Sequence, residues 1–473
     1  MFPQDISEMN RYAGDPKGSP NPSSAALAPT VVDEPFLSLL PIGRPRGSPW
    51  PSLNHSHTLY FQTVSAKVSV MQAQTESRSH PAALVEVLVI GGGVIGSSIA
   101  YHVARQGRKV LVVERHEVAV EPAASWASAG GVTPDWGQHP AEAALARAAI
   151  ERWPTLAEEL EADLHYRQGG HLLLAENDVE AEHLQSFVQR QHELGFADVS
   201  FVDRQDVFRL VPGLGEQVTA GSFSPADGQA DPRLTTRAFA NAAKRHGAIY
   251  WTSTECLALQ RVADRVVGAQ TGRGAVQAEQ IVLAAGAWSS ELAGSVGIQL
   301  PLRMRVLQAL LSNPAPAGVL QPVLSAVGRA LSLKQLPDGA LLLGGGWLGD
   351  PAPDGHSYAL REASQQGNWA TACELFPPLR KLRCVSAWGG LQAHSPDDLP
   401  FFGSVSGLEG LMLALGSWYG FAVAPAVGRF VADHLAGLPT PELDQLTPDR
   451  IAHFDPAHVA AFLAEPATAN VLE

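Results

Sequence analysis

Residues 85–117 read VEVLVIGGGVIGSSIAYHVARQGRKVLVVERHE. The run from Val85 to Ile90 has strand character, the stretch from about Val94 to Gln106 carries apolar residues at helical spacing, and Lys109 to Glu114 returns to strand. Strand, glycine turn, helix and strand make a βαβ unit, the setting in which a glycine triplet binds a dinucleotide. Gly91 and Gly93 let the backbone turn and approach a pyrophosphate with no side chain between, and Gly96 lets the helix pack close to the sheet. The helix N-terminus, beginning Val94–Ile95, adds N–H groups and the positive end of a dipole. Glu114 stands about 20 residues after the glycines, where a carboxylate accepts hydrogen bonds from the ribose hydroxyls of an adenosine. It would repel a 2′-phosphate, so NADP is disfavoured and NAD and FAD stay open.

The rest of the composition narrows the class. A chain of 473 residues accommodates two or three domains. Lysine and arginine total 33 against 47 acidic residues, a net charge of −14 without a basic cluster, which argues against a nucleic-acid partner. No apolar run reaches the roughly 18 residues of a membrane helix, and PFLSLLPIG at 35–43 is interrupted by proline. A cytoplasmic protein, at most peripheral on a membrane, is expected. Cys256, Cys373 and Cys384 form no CxxC pair and have no histidines at metal spacing, so reduced, mostly buried thiols are expected and no metal site. An iron–sulfur cluster held by this chain would need about four thiolates. Residues 1–82 are rich in Pro, Ser and Asn without sustained periodicity, and read as a disordered or unused extension. Met71, just ahead of the first strand, is an alternative start.

After the opening unit, EPAASWASAGGVTPDW (121–136) reads as a loop of small residues whose amides can meet phosphates. Residues 141–162 read as one helix or two with a break at Pro154, and DLHYRQGGHLLLAEN as two strands around Gly169 and Gly170. Helices are expected over about Val179 to Leu194 and Arg233 to His246. A hairpin then leads into an apolar strand at Ile281–Ala285, suited to a sheet buried on both faces. The block from LQALLSNP to GALLLGGGW is strand-rich, and GLMLALGSWYGFAVAPAVGRFVADHLAG reads strand, glycine loop, helix. A nicotinamide dehydrogenase would continue directly into a second mononucleotide half. Strand-rich insertions instead suit a flavoprotein with an interrupted cofactor domain.

Six motifs, in order, carry a resemblance: IGGGVIGSSIAYHVARQG with VVER, ASWASAGGV, QADPRLTTRAFANAAKRHGA, VLAAGAWSSEL, WGGLQAHSPDDLPFFG and LGSWYGFAVAPAVGRFVADHL. From about Glu86 to Leu438 the chain resembles the FAD-dependent D-amino acid oxidase superfamily, the group of glycine oxidase, sarcosine oxidase and D-amino acid dehydrogenase. The resemblance implies an α/β plus α+β fold, in which a discontinuous Rossmann-like FAD-binding domain (83–160, 220–300, 387–438) accompanies a mixed-sheet substrate-binding domain (161–219, 301–386) and a tail (439–473). It implies that Gly91, Gly93, Val94, Ile95 and Gly96 meet the pyrophosphate, Glu114 the adenosine ribose, and that Arg115 flanks the adenine. It likewise implies that Ala124, Ser125, Ala129, Gly130 and Gly131 form a second phosphate and flavin loop, with Gly286 of LAAGAW also at the cofactor, and that Gly416, Ser417, Trp418, Tyr419, Gly420 and Phe421 face the isoalloxazine. A helix N-terminus there stabilises the negative charge of the reduced ring.

Members of this family oxidise a C–N bond by hydride transfer to flavin N5, giving an imine that hydrolyses. The amine must arrive neutral, with a neutral histidine or a water as proton acceptor. The carboxylate clamp of the glycine oxidase-like members is missing: Gln392 stands where their first arginine would be, and Trp418 or Tyr419 where the second would. The sarcosine oxidase pattern fails too, with Ala422 at its lysine position and Cys384 six residues before Gly390, where its flavin-linking cysteine would align, so noncovalent FAD is expected. A charge-assisted pair contributes about 1.5 to 3 kcal/mol. Lys334 and His394 beside Gln392 are the first replacement candidates, with Arg303 and Arg305 behind them; a solvated position for Lys334 and a surface role for either arginine are the plain alternatives. Residues 153–175 and 331–347 resemble one branch, the flavoprotein subunits of hydrogen cyanide synthase, octopine oxidase and D-hydroxyproline dehydrogenase, which work with redox partner subunits. Three readings stay open: an FAD-dependent amino acid or secondary amine dehydrogenase/oxidase, a glycine or sarcosine oxidase-like enzyme using oxygen directly, and a noncatalytic FAD-bound subunit.

Overall fold

Four runs of apolar residues, LVEVLVI, VLVV, QIVL and LMLAL, become neighbouring parallel strands, which is why they do not alternate with polar residues. A computed structural model describes residues 83–133, 139–416 and 418–465; the extension at 1–82 and the end of the 121–136 loop lie outside the described residues. The first sheet has eight strands. Its order is Phe401–Val405, Leu408–Leu415, Arg265–Thr271, Gly274–Leu283, Ala83–Ile90, Val110–Val113 and Ile249–Trp251, with Cys256–Val262 added on Arg265–Thr271. The Ala83–Ile90 strand lies parallel to both Gly274–Leu283 and Val110–Val113. Helices Val94–Arg105, Pro232–Arg245 and Gly420–Leu435 share one apolar core with this sheet, built on residues such as Val87, Ile99, Phe239, Val282 and Val427.

The second sheet has ten strands. In order they are Tyr358–Ala359, Leu348–Pro351, Arg303–Ser312, Leu341–Gly344, Ser332–Gln335, Val323–Ala326, His171–Ala175, Ala220–Ser224 and Ser200–Asp203, with Cys384–His394 paired to Arg303–Ser312. Most of its pairings are antiparallel, and His171–Ala175 lies parallel to Val323–Ala326. Leu172, Leu310, Leu333 and Phe376 centre its own core, separate from that of the first sheet. A two-stranded ribbon, Gly131–Val132 with Gly228–Gln229, carries the small-residue loop towards the head of the Pro232–Arg245 helix.

Several expectations shift. Two expected boundaries fall inside the second sheet: Ala220–Ser224 pairs along its whole length with His171–Ala175, and Cys384–His394 is one unbroken strand across position 387, held by a ladder to Arg303–Ser312. The apolar strand expected at Ile281–Ala285 ends at Leu283 and begins at Gly274, because the hairpin partner Arg265–Thr271 extends its ladder. Only His171–Ala175 forms a strand beside Gly169 and Gly170; Arg167 makes a single bridge to Gln229. Pro154 sits in the first turn of a second helix, Trp153–Glu159, where its missing N–H costs nothing, after a first helix at Pro140–Ile150. The tail contains a helix, Pro456–Ala464, that returns to the Arg303–Ser312 strand.

Candidate active site

The glycine turn is shaped for close backbone approach. Gly91 has φ +106°, and a Cβ there would lie 2.4 Å from the Ala284 carbonyl oxygen. A Cβ on Gly96 would lie 2.0 Å from the Gly91 carbonyl oxygen, so the helix seats directly on the turn. Gly93 is the N-cap of the Val94–Arg105 helix and offers no side chain; Ser125 Oγ instead accepts from the Val94 N–H at 2.9 Å. Val94 and Ile95 are buried in the apolar core, so what they offer a ligand is backbone.

Glu114 reaches back to this turn. Its Oε2 accepts from the Gly92 N–H at 2.6 Å and its Oε1 from the His116 N–H at 2.9 Å. Burial raises its pKa above the usual carboxylate range, opposed by those two N–H groups and by the charges of His116 and Arg115. A carboxylate oxygen has two lone pairs, so each retains acceptor capacity. Arg115 is engaged elsewhere: Nη2 lies 2.8 Å from Glu255 Oε1, Nη1 lies 2.7 Å from His356 Nδ1, and the guanidinium stands over the Trp288 ring, two residues after Gly286.

A second helix N-terminus converges on the first. The Gly420–Leu435 helix crosses Val94–Arg105 where a Cβ on Gly428 would lie 2.0 Å from Ser98 Oγ, and Ser98 Oγ donates to the Ala424 carbonyl at 2.8 Å. Gly416 folds back until its absent Cβ would be 2.7 Å from Gly420 Cα and 3.8 Å from Ile95 Cγ1. Two positive helix ends therefore face one region. Phe421 is buried against Trp153, whose Nε1 donates to the Ala422 carbonyl at 2.8 Å. Ser417 lies outside the described residues.

The small-residue loop opens as a short helix, Ala124–Ala127, and lies against the second sheet. A Cβ on Gly390 would be 2.3 Å from Ala127 Cβ, and Trp388 Nε1 donates to the Ala127 carbonyl at 2.9 Å. Beyond Ala129, Lys334 Nζ donates to the carbonyl oxygens of Gly130 at 3.1 Å and Ala230 at 3.4 Å, just before Gly131 enters the ribbon. Lys334 is 2 % exposed, not solvated. Burial pulls its pKa down to about 7, with Asp231 opposing and Arg167 assisting.

The remaining candidates meet on one strand pair. Arg303 is register partner of His394, and Arg305 of Gln392. Directly opposed residues of an antiparallel pair share a face, so these four side chains form one strip. The next rung on that face pairs Leu307 with Gly390, where the small-residue loop rests. Arg303 is 6 %, Arg305 8 % and His394 0 % exposed, so neither arginine is a surface residue. Gln392 Nε2 points to the Trp418 carbonyl at 3.5 Å, the outer limit of a hydrogen bond. The Trp418 ring stands edge-on to His394 at 4.5 Å and donates through Nε1 to Asp398 at 3.1 Å; His394 Nδ1 lies 3.6 Å from the same carboxylate oxygen. Tyr419 follows Trp418 as N-cap of the Gly420–Leu435 helix. Among the described residues no cluster suits a metal ion.

One participant had no sequence signal. Glu465, just past the Pro456–Ala464 helix, bonds Arg303 and Arg305 through its carboxylate. Nothing in a segment that reads as a tail relates it to residues 160 positions earlier.

Comparison with known proteins bears on this geometry. Residues 86–434 match the model of the DAO family, described as FAD dependent oxidoreductase. The chain is 32% identical to the glycine oxidase of Pseudomonas aeruginosa over 358 residues, which covers 74% of this chain and 94% of that one. It is 28% identical to mouse mitochondrial dimethylglycine dehydrogenase over 387 residues, 77% of this chain and 44% of the longer relative. Among solved structures, the L-proline dehydrogenase of P. horikoshii superposes with a TM-score of 0.73 at 25% identity, over 79% of this chain and 99% of that one.

Proposed function

Because the chain belongs to the DAO family of FAD-dependent oxidoreductases, we propose that it oxidises the carbon–nitrogen bond of an amino acid or secondary amine, with N-substituted amino acids the favoured class. The observation that carries the reading is the polar strip Arg303, Arg305, Gln392 and His394, set beside the small-residue loop. Glycine, dimethylglycine and proline, in the names of the similar proteins, are all amino acids, and the last two are N-substituted.

The residues present fit FAD: a cradle at Gly91 and Gly96 that a Cβ would fill, two converging helix ends, and a carboxylate at the adenosine end of the turn. Held there without a covalent link, FAD supplies the hydride acceptor for the carbon beside the nitrogen. The first sheet and its helices bind the cofactor through Glu114 and the two adjoining helix ends at Gly91–Gly96 and Gly416–Phe421, with Ala129–Gly131 as a second loop against it. The second sheet binds substrate. His394, buried with no hydrogen bond to either ring nitrogen among the described residues, takes the proton that the amine must lose. Gln392 orients the substrate with its amide, and Trp418 and Tyr419 wall the strip against water. Lys334 positions the Gly130 loop and does not touch substrate. A cytoplasmic location belongs to the same reading; its three cysteines are free, and no helix of the described residues is long and apolar enough to cross a membrane.

The test is anaerobic mixing of the holoprotein with sarcosine, dimethylglycine, proline and glycine, following the visible absorbance of the oxidised flavin. Bleaching by the N-substituted compounds ahead of glycine is expected. If none of them, nor any wider panel of amines, bleaches the flavin, the reading fails. Peroxide yield in air then separates an oxidase from an enzyme that passes electrons to a partner subunit.

A further inference from the structure

Arg303 and Arg305 carry two positive charges on a buried strip and share one acidic partner. Arg303 Nη1 bonds Glu465 Oε2 and donates to the Phe462 carbonyl at 2.9 Å, with its guanidinium over the Phe462 ring. Arg305 Nη2 reaches the same Glu465 oxygen at 3.4 Å. Arg303 Nε and Nη2 and Arg305 Nε are buried with no acceptor among the described residues. A buried guanidinium N–H without an acceptor is costly, and two cations sharing one carboxylate oxygen leave a net positive charge. The unmet donors therefore ask for an anion, and they ask for it on the strip that also bears Gln392 and His394.

The group now touching them is weakly seated. The Glu465 side chain is 41 % exposed, against 6 % and 10 % for the two arginine side chains. No residue of the Pro456–Ala464 helix is buried, and Leu463 is 49 % exposed. Apart from its hold on the arginines, a contact from His458 Nε2 to the Pro396 carbonyl at 3.0 Å ties the helix down. With Val459 and Phe462 only half-buried, the helix leans on such polar contacts for its docking.

We propose that Arg303 and Arg305 form the subsite for the substrate carboxylate, and that the C-terminal strap presents Glu465 to it as an internal carboxylate that substrate displaces. The proposal rests on the reading of this strip as the substrate side of the active site. It answers the missing clamp: the cations come from the Arg303–Ser312 strand, opposite Gln392, and not from position 392 itself. Guanidinium groups two residues apart on one face suit bidentate recognition of a carboxylate.

The probe is benzoate, a carboxylate with no C–N bond to oxidise, with benzamide as its neutral counterpart. Binding to the holoprotein is measured by calorimetry and by perturbation of the flavin spectrum. Glu465→Gln, and a chain ending at Asp455, should each bind benzoate at least tenfold more tightly than the parent. Arg305→Met should bind it at least tenfold more weakly, with benzamide unchanged throughout. Because Glu465 is half-exposed, its variant keeps the test valid even if the arginine variant folds poorly. Equal benzoate affinity in parent and Glu465→Gln, no benzoate binding by any form, or a folded Arg305→Met that binds as the parent does, overturns the proposal. Expected benzoate results alongside a flavin that no amine reduces would leave the subsite standing and sink the amine-oxidation reading alone.

Discussion

Glu114 bonds two backbone N–H groups, from Gly92 and His116, and so braces the glycine turn, with lone pairs left for the ribose proposed above. Glu114→Ala removes the brace and, on that proposal, the ribose acceptor. The variant should purify with markedly less FAD, read as the ratio of flavin to protein absorbance; a variant as yellow as the parent would remove Glu114 from the ribose. The placement of Glu114 at the glycine turn was legible in the sequence, because it follows from distance along a βαβ unit. Lys334 was not, since its burial comes from Gly130 and Ala230, which lie more than 100 positions away. Its ammonium pKa is lowered to about 7 from an unfolded value of 10.5, so the folded state disfavours the charged form. The stabilising contribution is complete above the unfolded pKa and is lost as pH falls through the folded one, giving a window from about 7 to 10.5 with a slope of about 1.4 kcal/mol per pH unit. The parent should therefore gain stability relative to Lys334→Met between pH 7 and 9. Denaturant midpoints of the two proteins at several pH values check this, and parallel curves would mean that Lys334 does not titrate there.

At the level of elements, the cofactor end depends on how closely two helices cross. The contact of Gly428 with Ser98 involves more than a hydroxyl, because a Cβ would also meet the Ser98 backbone carbon at 2.7 Å and its Cβ at 2.8 Å. Rotating the serine cannot relieve that, so Gly428→Ala must push Gly420–Leu435 away from Val94–Arg105. Overpacking of this kind costs about 1–3 kcal/mol. The shift also parts two helix N-termini that meet near Ile95 and Gly416, so flavin affinity should fall together with the melting temperature. Thermal melts and flavin titration of the apoprotein check both; a stable variant with weakened FAD, or the reverse, would separate packing from cofactor binding. The helices were legible because their apolar spacing and flanking glycines are local. The partners of the strands were not: Arg303 and His394 are 91 residues apart, and only the ladder between Arg303–Ser312 and Cys384–His394 sets them side by side. The strip had three of its four members named as separate candidates, and the fourth as a departure from a motif, with nothing to say that they share a face.

On the scale of the whole molecule, the chain alternates between the two sheets. It builds Ala83–Ile90 and Val110–Val113 in the first, His171–Ala175 and Ala220–Ser224 in the second, Ile249–Trp251 through Gly274–Leu283 in the first, Arg303–Ser312 through Cys384–His394 in the second, and Phe401–Leu415 in the first. Six motifs in order were enough to foresee that interruption, but not where strands such as Ala220–Ser224 join, because membership is decided by pairing partners far along the chain. Neither sheet can be excised as one fragment. The small-residue loop also ties them: Trp388 Nε1 and Lys334 Nζ, both on the second sheet, hold the carbonyls of Ala127 and Gly130, and Arg233 lies over the rings of both Trp126 and Trp388. Large cofactor proteins with separate cores commonly unfold in more than one step, but interleaved connectivity with shared buried contacts predicts that these two sheets unfold together, with different probes coinciding. Flavin fluorescence, which reports release from the first sheet, and far-UV circular dichroism, which averages over both, should therefore change at the same denaturant concentration. Trp388→Ala cuts one of the ties, and should lower the midpoint while the two signals still coincide. Flavin release in the parent well before the loss of secondary structure would show instead that the loop contacts are too weak to couple the sheets, and that the cofactor side opens by itself.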